Sequence, residues 1–234
     1  MEISVSDAAR ALHLDERRVR RLASVGDLPA RKVGRAWLIE SDAVYERARV
    51  DHQPGRPLSQ SRAWAAIAEL AGQRAEWLSS SSRGQVRAVL DRRAKASADQ
   101  WSALLRNLAE IHDVRLRPAQ AEDLLSDAAV RPAELPATDL GLILLNNVPS
   151  VFVSSAEWPA LKARLRIGPA SSGRARVRVI EVSDDAFGLL ADDAVRKAAI
   201  VSLAMRSSEP RIRDAAAGWM GAAVESSVRA VSRR

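Results

Sequence analysis

The feature that most constrains the fold is the segment DERRVRRLAS, residues 15–24, because it interleaves a dense run of arginines with apolar residues at helical spacing. On a helix with about 100° between successive residues, one face is apolar and carries Val19, Leu22 and Ala23. The arginines cover the remaining surface: Arg17 and Arg21 point most directly away from the apolar face, and Arg18 and Arg20 lie on its flanks. The segment predicts an amphipathic helix beginning after Asp15, a residue suited to capping a helix N-terminus.

Two interpretations of the arginine-rich face are open from this segment alone. Such a face suits the DNA major groove, where arginine binds guanine through two hydrogen bonds. The alternative is a solvated charged face, which is what most charge runs are. The net charge is +7, but only four of the 36 basic residues are lysines, a pattern typical of a GC-rich genome. The positions of the arginines are therefore more informative than their number, and the flanking residues decide between the interpretations.

A second helix is predicted immediately before this segment. Ser4 or Ser6 can cap it, and its buried face is formed at helical spacing by Val5, Ala8, Ala9 and Leu12. A short break at His13-Leu14 separates the two helices, and Gly26 is expected to end the second one in a left-handed conformation. Two short helices joined by a tight turn form a helix-turn-helix unit.

The residues after Gly26 predict a hairpin and a third helix. Two strand-like runs, 30–33 and 36–39, flank a turn at Gly34-Arg35. The hairpin is basic and carries Arg31, Lys32 and Arg35. A third helix begins at Ser41. The order helix, turn, helix, hairpin, helix is a winged-helix arrangement.

This arrangement resembles the excisionase and MerR-type winged helix-turn-helix family over residues 3–50. The matching features are the alanine pair of the first helix, VRRL in the second, the exit G-x-LPA and the wing VGRxWLI. The resemblance implies that the second helix enters the major groove and that the wing covers a neighbouring minor groove or backbone. It also implies a core position for Trp37. The predicted DNA-binding residues are Arg17, Arg18, Arg20 and Arg21 on the helix and Arg31, Lys32 and Arg35 on the wing.

The rest of the chain predicts further domains. The stretch 51–57, DHQPGRP, is polar and rich in proline and is predicted to be a linker after the DNA-binding domain of residues 1–50. Three amphipathic helices are predicted in a helical region at 58–111, the last of them over 98–111. Tryptophans at helical spacing are interpreted as core. The basic cluster of this region is interpreted as a solvated face, with a second helix-turn-helix as the alternative; its members are Arg83, Arg87, Arg92 and Arg93.

Residues 112–234 alternate strand and helix patterns, which indicates a small α/β or α+β module. Strands are predicted at 113–117, 151–153 and 174–182, and the apolar run LGLILL at 140–145 is a buried strand or a short helix. A loop is predicted at 168–173. Helices are predicted from Pro118, and at 157–165, 192–205 and 210–231. An apolar stripe on the last helix suits a homodimer interface or packing within its own domain; it comprises Ile212, Ala216, Trp219, Ala223 and Ser226. The predicted fold class is mainly α with minor β.

A weaker resemblance links the remainder of the chain to antitoxin regulators of abortive-infection type IV toxin–antitoxin pairs. It depends on the helix start GRPLSxxxAW at 55–64 and on the pattern VPSVFVSSAEW at 148–158. The resemblance implies a protein partner, a toxin of the nucleotidyltransferase type, that binds through residues 58–234.

The sequence offers little for catalysis or for metal binding. Cysteine is absent, which excludes disulfides and thiolate metal sites, and neither a membrane span nor a secretory signal is evident. The histidines are dispersed, and none has a partner at metal-ligand spacing along the chain; they are His13, His52 and His112. The adjacent acids at 184–185 and 192–193 do not form a catalytic pair. We therefore expect a cytoplasmic protein that is not an enzyme and has neither a cofactor nor a metal.

The predicted function is that of a sequence-specific binder of double-stranded DNA, a bacterial transcriptional regulator with a C-terminal protein-interaction module. Two alternatives remain open from the sequence. One is an antitoxin-like protein that binds a partner and regulates its own operon, and the other is an excisionase-like architectural factor that bends DNA.

Overall fold

A computed structural model describes residues 1–51, 56–134, 148–168, 175–207 and 209–231. The described residues are mainly helical with two small sheets, which confirms the predicted fold class. Their helices are α1 (Val5–Leu12), α2 (Glu16–Val25), α3 (Ser41–Asp51), α4 (Gln60–Leu70), α5 (Ser80–Asp91), α6 (Ala98–Leu104), α7 (Pro118–Leu125), α8 (Glu157–Arg164), α9 (Asp184–Leu189), α10 (Asp193–Ala204) and α11 (Pro210–Val231). Their strands are β1 (Glu2–Ser4), β2 (Ala30–Val33), β3 (Ala36–Glu40), β4 (Glu110–Leu116), β5 (Val130–Pro132), β6 (Ser150–Ser154) and β7 (Ala175–Val182).

The chain forms two compact units that are not continuous in sequence. The mixed unit contains the described residues of 1–51, 110–134 and 146–187, and the helical unit contains those of 52–109 and 188–234. This grouping differs from the sequential division, which placed residues 112–234 in one module. The difference arises because α10 and α11 bury their apolar faces against α4 and α6 rather than against the strands.

The first part of the mixed unit is a three-stranded antiparallel sheet packed on three helices. The strand order is β1-β3-β2, with Ile3 opposite Ile39 in the first pair and Lys32 opposite Trp37 in the second. The core between this sheet and the helices includes Val5, Ala8, Leu12, Val19, Leu28, Ile39 and Val44. Strand β1 was not predicted, because three residues are too few to show a period of two.

The second part of the mixed unit is a four-stranded sheet of order β4-β7-β6-β5. The central pair β6–β7 is parallel and the two outer pairs are antiparallel. Helices α7 and α8 cover the sheet over a core that includes Leu116, Leu124, Val153, Trp158, Leu161 and Val179. The short elements β5 and α9 were not predicted. The predicted helix over 98–111 was wrong at its end, because α6 stops at Leu104 and residues 110–111 pair with β7 instead.

The helical unit is organised around α4, whose residues 63–70 are all buried, as expected of a helix enclosed on all sides. Trp64 donates from its indole nitrogen to the carbonyl of Leu108 at 2.9 Å, and Trp101 is fully buried. The core interpretation is confirmed for Trp64 and Trp101. Trp77 is an exception, because it lies in the turn before α5 and is 44% exposed.

The basic cluster around α5 is partly structural. Arg87 binds the buried carboxylate of Glu69 at 2.8 Å, and Arg83 donates to the carbonyl of Leu78 at 2.8 Å. Both arginines therefore stabilise the helical unit, whereas the sequence had suggested a solvated face.

The apolar stripe predicted on α11, for a homodimer interface or for packing within its own domain, coincides only in part with the buried face of the helix. The buried positions of this helix include Ala216, Met220 and Val224, and α11 packs on α4, α5, α6 and α10. The apolar face of α11 is therefore occupied within its own unit.

Gly221 marks a close approach between α11 and the turn after α5. A Cβ atom at this position would collide with the carbonyl oxygen of Ala94, whereas one at Gly218 on the same helix would meet nothing within 4 Å. We expect Gly221→Ala to lower the free energy of unfolding by about 1–3 kcal/mol through overpacking. Gly218→Ala, the matched control, is expected to raise it by about 0.5–1 kcal/mol through helix propensity. Urea unfolding measures both, and equal stabilisation by the two variants would contradict this packing.

Several predictions fall on residues outside the described ranges. They concern most of the linker, at 52–55, the apolar run LGLILL at 140–145, and all but the first residue of the loop at 168–173. Within the described ranges, no helix combines the length and the apolar character needed to cross a membrane.

Candidate nucleic-acid interface

Helix α2 is fixed at both ends by the predicted caps. The carboxylate of Asp15 accepts a hydrogen bond from the backbone N–H of Arg18 at 2.7 Å, and Gly26 adopts a left-handed φ of +87°. These contacts satisfy backbone groups that a helix leaves unpaired at its ends. The rotation of the helix is fixed as well, since Val19 and Ala23 are buried in the core.

The turn between α1 and α2 is tight. Ser4 caps α1 by accepting from the N–H of Asp7 at 3.1 Å. His13 ends the helix at a left-handed φ of 53°, and the N–H of Leu14 donates back to the carbonyl of Ala9 at 3.0 Å. This hydrogen bond closes the helix C-terminus in the manner of a Schellman motif. The predicted break at His13-Leu14 is confirmed, and it sets the angle at which α2 departs.

All four arginines of α2 are exposed, but they do not have equal freedom. Arg20 pairs with Glu16 one turn earlier, with 2.5 Å between guanidinium and carboxylate. Across the described part of the chain, no carboxylate pairs with the side chains of Arg17, Arg18 or Arg21. These three guanidinium groups are therefore available to an external acceptor.

The wing presents two further cations. Gly34, the first turn residue between β2 and β3, adopts a φ of +59°, as the first position of a type II′ hairpin turn requires. Arg35 follows it and is exposed. Lys32 is exposed on β2, with its ammonium 6.0 Å from the ring centroid of Trp37. Trp37 is half-buried and packs against the N-terminal core, in line with its expected core position.

Arg31 differs from the other predicted wing residues because it already has a partner. Its Nε and Nη2 atoms each donate to a carboxylate oxygen of Glu2 at 2.8 Å. The hydrogen bond from Arg31 lowers the pKa of Glu2, and the same contact raises the pKa of Arg31. The Nη1 group of Arg31 remains without a carboxylate contact among the described residues and its side chain is half exposed, but the Glu2 carboxylate offsets its positive charge. The Arg31–Glu2 pair could not be predicted from the sequence, because its two residues are 29 positions apart and meet only through strand β1.

The face of the wing sheet that carries the Arg31–Glu2 pair is also engaged by an ion-pair network from the four-stranded sheet. Glu40, at the end of β3, binds Arg115 and also Arg176, the latter at 2.6 Å. Arg176 continues to Asp113 at 3.3 Å, and Arg178 binds the same carboxylate at 3.2 Å. The network therefore attaches the DNA-binding segment to the four-stranded sheet through charged side chains.

Asp113 is the most buried carboxylate of this network, with 8% of its side chain exposed. Burial by itself acts to raise its pKa, but Arg178 and Arg176 together outweigh burial and lower the pKa below its usual value. Asp113 is therefore held in its charged form.

A group of titratable side chains also meets on β4 and β7. His112 Nε2 lies 2.9 Å from a carboxylate oxygen of Glu181, and Glu110 is directly opposite Glu181 in the ladder. The potential ligand atoms of the three residues lie within 4.8 Å of one another. The prediction that no histidine has a partner at metal-ligand spacing referred to spacing along the chain. The pairing of β4 with β7 brings these three residues together across the sheet.

Comparison with known proteins bears on the N-terminal segment. A family model described as a helix-turn-helix domain matches residues 2–48, about a fifth of the chain. No match was found among curated proteins or among solved structures. The match covers α1, α2 and the wing, the same elements that carry the exposed cations. Residues 2–48 are therefore a helix-turn-helix DNA-binding segment.

Proposed function

We propose that this protein is a sequence-specific transcriptional regulator that binds double-stranded DNA through α2 and the wing. The observation that carries the proposal is the row of Arg17, Arg18 and Arg21, which lack carboxylate partners among the described residues and lie on a helix held by two caps and a buried face. A fixed helix presents these guanidinium groups to base edges in the major groove without any ordering of its backbone, so the conformational entropy lost on binding is that of the side chains. Lys32 and Arg35 would then contact phosphates.

The two kinds of contact contribute differently to binding. Arginine bound to guanine discriminates between sequences by about 1–3 kcal/mol per contact, whereas phosphate contacts add affinity without sequence information. A single helix-turn-helix buries a small surface compared with most specific complexes. A homodimer on two half-sites, or a second DNA-contacting element, would supply the remainder.

The salt dependence of DNA binding tests this function. We expect the protein to bind a duplex from upstream of its own gene, with log K falling against log salt concentration at a slope of about −2 to −4.5. The shallow limit corresponds to phosphate contacts from Lys32 and Arg35 alone, at about −0.9 for each contact. The steep limit requires phosphate contacts from Arg17, Arg18 and Arg21 as well. Fluorescence anisotropy over a salt series measures it. A flat response, or no binding at low salt, would refute the proposal.

A protein partner for the helical unit is a second element of the proposed function. The observation in its favour is Trp77, a large side chain that is 44% exposed on that unit, since tryptophan is enriched among residues that dominate binding energy at protein interfaces. A toxin-like partner, as in an antitoxin that regulates its own operon, would dock there. Purification from the native host with identification of co-eluting chains tests this, and a clean homo-oligomer would argue against it.

A further inference from the structure

A cleft of about 890 Å³ lies within the mixed unit beside the C-terminal end of α2. One wall is formed by residues 23–26, at the end of the helix, and by β2 of the wing. The other wall is formed by β4, by α8 and by residues 167–168. The cleft therefore adjoins the DNA-binding segment on one side and the four-stranded part of the unit on the other.

The cleft continues the exposed arginine row of α2. Ser24 lines the cleft and follows Arg17 by two helical turns and Arg21 by one, so the three side chains share one helical face. A DNA strand that follows this face toward the C-terminal end of α2 would reach the mouth of the cleft.

Two lysines give the cleft its unbalanced positive charge. Lys32 projects from the wing and Lys162 from α8, and their ammonium groups lie 6.0 Å and 5.1 Å from the ring centroids of Trp37 and Trp158. Neither lysine has a carboxylate partner among the residues that the structure describes.

The other ionisable side chains that line the cleft already have partners. Arg31 is bound to Glu2, Arg115 to Glu40, and His112 to Glu181. Asp113 is bound by Arg176 and Arg178. Among the cations that line the cleft in the described part of the chain, the two lysines are therefore the ones without a carboxylate partner, and their positive charge favours an anion.

We propose that Lys162 extends the DNA interface beyond the helix-turn-helix by contacting backbone phosphates of the duplex at this cleft, opposite Lys32. This inference rests on the proposed function and names a contact outside the matched residues 2–48. A lysine on α8 adds one contact from outside the helix-turn-helix to the small surface that this segment buries by itself. Its contact is to phosphate, so it adds affinity and orientation equally for all sequences.

The test is Lys162→Met in the full-length protein, since methionine keeps the apolar stem over Trp158 and removes only the charge. We expect the slope of log K against log salt to become shallower by about 0.9, the contribution of a single neutralised phosphate. Affinity should fall by the same factor on specific and on random duplexes. Lys162→Arg should restore the slope. Lys95→Met is the matched control, because Lys95 is exposed on the helical unit and should leave the slope unchanged.

The outcomes separate this inference from the proposed function. If the wild-type protein shows no salt-dependent duplex binding, the proposed function fails. If the wild type binds and Lys162→Met behaves like Lys95→Met, only the inference is overturned. Pyrophosphate titrated without DNA, with tryptophan fluorescence as the signal, provides a further arm. A response to pyrophosphate that Lys162→Met abolishes, with DNA binding unchanged, would make the cleft a small-anion site and would also overturn the inference.

Discussion

Replacing Arg17 and Arg21 together by alanine is expected to weaken binding to the best DNA sequence by about 2–6 kcal/mol, because each arginine bound to guanine contributes about 1–3 kcal/mol. The two residues point away from the buried Val19 and Ala23, so their removal should leave the fold intact. Because base contacts carry the sequence information, binding to random DNA should weaken much less. Specificity, measured as the ratio of the two affinities, should therefore fall.

Fluorescence anisotropy with the best and the random duplex at one fixed salt concentration measures this ratio. Arg20→Ala is the matched control on the same helix, because Arg20 is held by Glu16 and its removal should change specificity little. An equal weakening on the two duplexes would show that Arg17 and Arg21 contact phosphates only, and the recognition role would move to other residues.

Replacing Asp113 by alanine is expected to lower the free energy of unfolding by about 1–3 kcal/mol, the range for leaving hydrogen-bonding groups short of one partner, because Arg176 keeps its ion pair with Glu40. The substitution leaves Arg176 and Arg178 without the carboxylate that they share. The side chains of both arginines are less than a third exposed, so water compensates for the missing carboxylate only in part. Urea unfolding at neutral pH measures the change. Asp123→Ala, an exposed position on α7, is the control and should stay within about 0.5 kcal/mol of the wild type.

The pH dependence of stability provides an independent check on Asp113. Its pKa is lower in the folded chain than in the unfolded chain, so the unfolded state binds its proton first as the pH falls. The stabilising contribution is complete above the unfolded pKa, about 3.9, and is lost as the pH falls through the lower folded pKa. We expect the wild type to lose more stability than Asp113→Ala below about pH 4. Parallel acid limbs for the two proteins would contradict the assigned role.

Local patterns in the sequence were enough to predict the DNA-binding segment. The caps Asp15 and Gly26, the buried faces of α1 and α2, and the glycine turn of the wing depend on residues a few positions apart. Helix capping, helix amphipathicity and hairpin turns all depend on interactions between residues that are close in sequence. Most strands of the second sheet were predicted for a similar reason, since alternation along β7 and the apolar run of β6 are visible without knowledge of their partners.

Contacts between distant segments were not predictable in the same way. Glu2 holds Arg31 only because β1 joins the wing sheet, and Glu40 meets Arg115 and Arg176 only because two sheets lie in one unit. Helices α10 and α11 pack against α4 rather than against the strands that are nearer to them in sequence. A charged or apolar side chain can pack against any complementary surface, so its type alone does not identify the residues that it contacts.

The pattern of residues 15–24 was sufficient to predict a capped helix with an apolar face and an arginine-rich face, because capping and amphipathicity are encoded within a few turns. The Arg20–Glu16 pair follows from helical spacing as well, since the two residues are one turn apart on α2. The folded chain was needed to show that Arg31 binds Glu2 and that, among the described residues, Arg17, Arg18 and Arg21 lack a carboxylate partner. The tertiary structure also placed Lys162 in the cleft beside α2. The physical reason is that ion pairing depends on distances of a few ångströms, and folding sets those distances between residues far apart in the chain.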